Sequence, residues 1–128
     1  MANVRLHRLG DLQLRIMQVL WDRGEASVAD VHDALGARPK LAYTTVATML
    51  RKMEARGLAA HRTEGRTFIY RAAVAEERVG RNMAEHVLDR LFQGSLATMV
   101  SHLLTAREVS GDELAELERL IAERKRTP

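Results

Sequence analysis

The sequence predicts a mainly α-helical protein in which three short helices and a β-hairpin precede a second helical region. Apolar residues recur every three or four positions through most of the chain, which is typical of amphipathic helices. Around Phe68 and Tyr70 the side chains alternate instead, as they do in a strand, and single glycines separate the segments. The 128 residues fit one domain, or one small domain with an appendage.

The first two helices are expected to be short and to end at glycines. Asp11 is predicted to cap a helix over residues 12–23, before Gly24, and Ser27 to cap a second helix that ends at Gly36. Pro39 indicates a turn after the second helix. Each helix has one apolar stripe, formed by Leu12, Ile16, Val19 and Leu20 in the first and by Val28, Val31 and Leu35 in the second.

The third helix, predicted from about Ala42 to Arg56, has a polar and positive face. Threonine is a mediocre helix former, so its recurrence favours a partner that uses small donors and acceptors. Tyr43 either packs on the helix edge or contacts a phosphate. The core stripe is Val46, Met49, Leu50 and Met53, and the opposite side has Thr44, Thr48, Arg51 and Ala55, flanked by Thr45 and Lys52.

A short basic hairpin follows this helix directly. Strands are expected over residues 58–62 and 67–71, joined by a turn over residues 63–66 that contains Gly65. Arg62 and Arg66 are predicted to lie at its tip.

Residues 74–128 are expected to form helices, with Ser95 and Ser110 as N-caps. So short a segment cannot bury three leucine-rich stripes by itself. It is therefore predicted to pair with a second copy, although folding back on the first domain stays open. The stripe residues are Val79, Met83, Val87, Leu91, Leu96, Val100, Leu114, Leu117 and Ile121.

The excess of positive over negative charge is confined to the middle of the chain, although the whole chain has a net charge of only +3. Residues 1–37 have four Arg and five acids (−1), residues 38–71 eight Lys/Arg and two acids (+6), and residues 72–128 eight basic and ten acidic residues (−2). A localised basic patch is typical of a polyanion binder. The change of sign near Ala73 places the domain boundary there, giving domains 1–73 and 74–128. The basic residues of the middle segment are Arg38, Lys40, Arg51, Lys52, Arg56, Arg62, Arg66 and Arg71.

Two helices, a basic helix and a basic hairpin, in this order, are typical of a winged helix-turn-helix, which presents its third helix to the DNA major groove. The sequence thus predicts a homodimer that binds double-stranded DNA at a pseudo-palindromic site. The open alternative is a winged-helix module that binds an acidic protein. The residues predicted to contact DNA are Tyr43, Thr44, Thr45, Thr48, Arg51, Lys52, Arg62 and Arg66.

Other classes of function lack a signature. No nucleotide-binding glycine pattern, catalytic triad or histidine metal motif is present, so no enzyme, cofactor or metal is expected, and a small hydrolase has no supporting motif. The absence of cysteine excludes disulfides and thiolate sites. No apolar run is long enough to span a bilayer, and the first ten residues have no secretory pattern, so a cytoplasmic location is expected.

These residues resemble the penicillinase-repressor family (BlaI and MecI, with copper-responsive CopY relatives) over roughly residues 9–124. The Ala-Tyr-Thr-Thr-Val run at residues 42–46 is the most specific part of the match. The helix that begins at Ser110 belongs to it as well. The other matching segments are Leu9-Gly10-Asp11, Ile16 to Trp21, Leu41 to Leu50 and Lys52 to Leu58.

The resemblance implies a dimeric winged-helix repressor that leaves its operator on a signal. In β-lactam-responsive members that signal is cleavage by a sensor protease at an Asn-Phe bond ahead of the last helix, and His102-Leu103 occupies the matching place here. Copper-type members sense through cysteines, which this chain lacks. Some members have Lys and Arg where this chain has Thr44 and Ala47, which implies a different set of bases or greater use of Arg51, Lys52 and the hairpin.

Overall fold

The computed structural model describes residues 9–37 and 40–128. The turn expected at Pro39, the basic residue Arg38 and residues 1–8 lie outside the described residues. The elements follow the predicted order, with one additional short strand. They are α1 Asp11–Arg23, β1 Ala26–Ser27, α2 Val28–Leu35, α3 Tyr43–Ala55, β2 Ala59–Glu64, β3 Thr67–Ala72, α4 Glu76–Leu91, α5 Leu96–Ala106 and α6 Gly111–Arg126.

Helices α1 to α3 and the sheet enclose one apolar core. The predicted stripes of α1, α2 and α3 face it, although Leu12, Val19, Val28 and Met49 are only partly buried. Burial of these side chains is the main stabilising contribution to such a small domain. The fully buried large side chains are Ile16, Met17, Leu20, Val31, Val46, Leu50, Met53, Leu58, Tyr70 and Val79.

The predicted hairpin is part of a three-stranded antiparallel sheet with the strand order β1-β3-β2. Ala26 of β1 pairs with Tyr70 of β3, and His61 of β2 pairs with Tyr70 from the other side. The sequence analysis missed β1, because two residues are too few to show strand alternation. This strand attaches the hairpin to the segment between α1 and α2.

The helix caps agree with the sequence at Ser27 but not at Asp11. Ser27 Oγ accepts a hydrogen bond from the Asp30 amide (3.1 Å), and the Asp30 carboxylate accepts one from the Ser27 amide (3.0 Å). Helix α1 begins one residue earlier than predicted, with Gly10 as its N-cap, so the prediction for Asp11 was wrong. The Gly10 carbonyl already accepts the Leu14 amide (2.9 Å), and the Gly10 amide donates to the Gln13 side chain (3.2 Å).

Helix α4 begins in the winged-helix core. Val79 is only 1% exposed, and Met83 packs against the same core. Trp21 Nε1 donates a hydrogen bond to the Val74 carbonyl (2.9 Å), which ties α1 to the segment before α4. The first compact unit extends to His86, and the second is Val87–Pro128, whereas the sequence placed the boundary at Ala73. The buried contacts of Val79 and Met83 place the start of α4 in the first unit.

The second unit contains α5 and α6, which start at the predicted caps. Ser95 Oγ accepts the Thr98 amide (3.2 Å) and Ser110 Oγ accepts the Glu113 amide (3.1 Å). Neither helix has a buried side chain within the chain itself. Among the described helices, none is long and apolar enough to cross a membrane.

Replacing Ser27 by alanine should lower the free energy of unfolding by roughly 0.5–2 kcal/mol, because the Asp30 amide loses its capping acceptor. Urea unfolding followed by circular dichroism at one protein concentration measures the change. Ser101→Ala, the same substitution inside α5, should leave the midpoint unchanged or slightly higher. Equal midpoints for Ser27→Ala and the wild type would contradict a stabilising cap.

Candidate nucleic-acid interface

The polar side of α3 faces solvent, as the sequence predicted. Thr44, Thr45, Arg51 and Lys52 are exposed and Thr48 is half-buried, while the opposite side of the helix packs in the core. Arg51 Nη2 donates to Thr48 Oγ1 (3.3 Å), so these two side chains lie together on the exposed face. The result is a surface of hydroxyl and cationic groups held on a rigid helix.

Polar contacts fix both ends of α3. His32 Nε2 lies 2.7 Å from the Leu41 carbonyl just before the helix, and its ring meets the Tyr43 ring edge-on at 6.0 Å between centroids. Tyr43 is 51% exposed, so it packs on the helix edge and still presents its ring to solvent. Near the other end, Arg56 Nη1 donates to Gln13 Oε1 of α1 (3.1 Å). Arg56 is therefore engaged inside the domain.

The hairpin, which we call the wing (residues 59–72), turns through a two-residue loop of Gly65 and Arg66. Gly65 has a φ of +63°, which glycine adopts without steric cost. The sequence analysis expected a longer turn over residues 63–66, but Glu64 and Thr67 still pair across the strands. Arg66 is exposed, and neither it nor Lys52 makes a hydrogen bond or ion pair within residues 9–37 and 40–128.

Arg62 does not lie at the tip of the wing, where the sequence placed it. It is in β2 opposite Ile69, and its guanidinium is held by two carboxylates. Arg62 Nε and Nη2 donate to the two oxygens of Glu25 (2.8 and 3.1 Å), and Nη1 donates to Glu64 Oε2 (2.9 Å). The hydrogen bond from Arg62 lowers the pKa of Glu25, and the same bond raises the pKa of Arg62. A sequence pattern cannot reveal this arrangement, since Glu25 and Arg62 are far apart in the chain.

A second contact that the sequence did not reveal joins α3 to the wing. His61 Nδ1 lies 2.7 and 2.8 Å from the two carboxylate oxygens of Glu54, in the last turn of α3. The His61 ring also stacks on Phe68 of β3 at 4.0 Å between centroids. Burial raises the pKa of the neighbouring Tyr70, and the charge of Glu54 adds to this effect. His61 thus links the helix to the hairpin, and no local sequence pattern indicates this contact.

A groove of about 440 Å³ runs between α3, the start of α2 and the wing. Arg51 and Arg66 contribute guanidinium groups to it, and Tyr43 and Phe68 contribute exposed rings. Within the described part of the chain, no group of three His, Asp or Glu side chains is arranged to hold a metal ion. The groove and the face of α3 together present cations and hydroxyls, which are the groups that bind phosphates and base edges.

A three-helix core with a basic third helix and a basic wing defines a winged-helix DNA-binding protein. The family model of the penicillinase repressor matches residues 9–123, and the chain belongs to this family. It is therefore a DNA-binding transcriptional repressor and not an enzyme, as the sequence predicted.

Individual relatives agree with this assignment. The chain is 27% identical to the penicillinase repressor of Bacillus licheniformis over 121 residues, covering 94% of each protein. It is 35% identical to the transcriptional regulator BlaI of Mycobacterium tuberculosis over 121 residues, covering 93% of this chain and 86% of that one. Among solved structures, the DNA-binding domain of the repressor BlaI matches with a TM-score of 0.50 at 26% identity, covering 57% of this chain and 89% of that domain.

Replacing Arg66 by alanine should weaken binding to all duplexes and reduce the slope of log K against log salt by about one unit, because one phosphate contact is lost. Fluorescence anisotropy at several salt concentrations measures the slope. Arg78→Ala is the matched control. Arg78 lies in the first turn of α4, which follows the end of β3 that is opposite the wing loop. Its replacement should therefore leave the slope unchanged. The same slope for Arg66→Ala and the wild type would mean that the loop does not touch the backbone.

Proposed function

We propose that this repressor binds a two-fold symmetric operator as a homodimer and leaves it on an inducing signal. In each copy, α3 lies in the major groove and the wing loop meets the neighbouring phosphate backbone. Occupation of the operator blocks transcription without any chemical step.

The exposed face of α3 supports its placement in the groove. An α-helix with side chains is about 10–12 Å across, close to the width of the major groove of about 12 Å. Thr44, Thr45 and Thr48 can offer hydroxyl or methyl groups to base edges, while Arg51 and Lys52 serve guanine or phosphate. Arg66 can reach the backbone from the wing loop because no carboxylate of the described residues engages it.

The single observation that supports the dimer is the apolar surface of the second unit. No side chain of α5 or α6 is fully buried in the single chain, yet both helices carry leucine-rich stripes. So much exposed apolar surface marks an interaction site. The large exposed apolar residues of this unit are Val87, Leu91, Leu96, Val100, Leu103, Leu104, Leu114, Leu120 and Ile121.

A second copy is the partner that fits this surface best. Residues 87–128 contain six basic and seven acidic residues, so two copies of the unit are nearly neutral and do not repel each other. A two-fold dimer uses the same patch on both copies, and it presents two reading helices to two half-sites. Two stripe residues of the sequence prediction, Val79 and Met83, already pack in the winged-helix core and are left out of the proposed dimer surface.

Cleavage by a sensor protease is one signal that would release such a dimer. The bond between His102 and Leu103 lies inside α5, where the His102 ring also meets Phe92 edge-on at 5.7 Å. The helix would have to open before a protease could reach that bond. Cleavage would separate α6 from the rest of the chain and remove part of the apolar surface.

Replacing Ile121 by lysine should convert the dimer to a monomer at low micromolar concentration. The side chain is 57% exposed in the single chain, so the change removes apolar dimer surface without disturbing a buried core. Sedimentation velocity measures the mass, and anisotropy with a full operator measures the resulting loss of affinity. Ala122→Lys introduces the same charge at the next, exposed position of α6 and should remain dimeric. A wild-type monomer at tens of micromolar would overturn the proposed dimer.

Replacing Thr48 by alanine should reduce sequence preference more than general affinity for DNA. Loss of one contact to a base edge costs about 1 kcal/mol, which is roughly a fivefold loss on the operator. Binding to the operator and to a shuffled duplex of the same composition gives the ratio. Thr105→Ala, the same change in α5, should leave both affinities unchanged. Equal losses of Thr48→Ala on both duplexes would contradict a base-reading role.

A further inference from the structure

Arg62 connects the outer strand of the wing to the helical part of the domain. Its strand, β2, pairs only with β3, and β3 pairs with the short strand β1. Ser27, Ile69 and Arg62 occupy one row across these three strands. The Arg62 side chain reaches from β2 across the central strand to Glu25, the residue just before β1.

Glu25 is well placed to fix the wing. It lies in the short segment between the end of α1 and the N-cap of α2, so it moves with the helices that build the core. Arg62 meets it with two parallel hydrogen bonds, and a fork-to-fork pair of this kind restricts orientation as well as distance. Glu64, two residues further along β2, takes the third hydrogen bond of the same guanidinium.

We infer that Arg62, Glu25 and Glu64 form a clamp that sets the angle of the wing against the helices, so that Arg62 is a positioning residue for DNA binding. The phosphate contact of the wing is then made by Arg66. This inference rests on the proposed placement of the wing on the DNA backbone, and it changes the role that the sequence indicated for Arg62.

The charges of the cluster support a clamp that stays closed on DNA. If Arg62 left the cluster for a phosphate, Glu64 would lose its cation, and Glu25 would keep only the more distant charge of Arg71, beside a polyanion. Two unpaired carboxylates there would repel the backbone. Isolated surface ion pairs contribute little, but a bidentate pair extended by a third group is the arrangement in which such contacts matter most.

Replacing Glu25 by alanine tests the inference through the direction of its effect. Removing a negative charge by itself favours DNA binding, so a mere charge effect would tighten the complex. The clamp predicts the opposite, a loss of operator affinity of threefold or more, because the wing no longer holds Arg66 in place. Glu77→Ala in the first turn of α4 removes the same charge away from the cluster, and it should bind the operator as well as the wild type or better. Tighter binding by Glu25→Ala would overturn the clamp, since Glu25 would then be a competitor of DNA for Arg62.

Amide hydrogen exchange of the free full-length protein separates this inference from the proposed function. Without the clamp, amides of β2 and the wing loop should exchange several-fold faster, while those of α1 and α3 stay protected. The swapped pair Glu25→Arg with Arg62→Glu keeps one guanidinium and two carboxylates in the cluster, and it should restore protection and operator affinity. Unchanged exchange in Glu25→Ala would overturn the clamp. An unchanged salt slope in Arg66→Ala would instead overturn the placement of the wing on DNA.

Discussion

The direction of the candidate DNA-binding face of α3 depends on the burial of one apolar stripe of this helix. Val46, Leu50 and Met53 are completely buried, so the helix cannot rotate about its axis without exposing them to water. Burying each such side chain is worth about 1.5–3 kcal/mol, which is more than any single polar contact on the outer face contributes. The threonines and cations opposite this stripe are therefore fixed in direction by the core, and the polar contacts of His32 and Gln13 only refine the ends of the helix.

The basic residues of the middle segment differ in the partners that their side chains have within the domain, although each adds the same charge to the sequence total. Arg56 is bound to Gln13 and Arg62 to two carboxylates. Lys52 and Arg66 have no such partner among the described residues. The sum of charges over residues 38–71 thus overstates what a polyanion can contact, because Arg56 and Arg62 are already engaged within the domain.

The sequence predicted most of this fold because its signals are local. Helical spacing gave the stripes of α1 to α3, Ser27 and Ser110 marked helix starts, and Gly65 marked the hairpin turn. The Arg62 cluster and the His61–Glu54 contact were missed because each joins residues that come together only when the sheet packs on the helices. Strand β1 was missed for a related reason, since it exists only by pairing with β3. For the candidate site, the sequence indicated which residues face solvent. It did not indicate which of them already form hydrogen bonds or ion pairs within the domain.

Helix α4 shows why a stripe of apolar residues does not identify its own partner. Val79 and Met83 at the start of the stripe pack in the winged-helix core, while Val87 and Leu91 further along the same stripe are exposed. The spacing is identical throughout, so sequence periodicity assigns all four residues to one surface. The structure divides the stripe between the core of one unit and the exposed surface of the other. An apolar stripe on one helix can therefore change its surroundings part-way along, and the sequence spacing does not show where that change occurs.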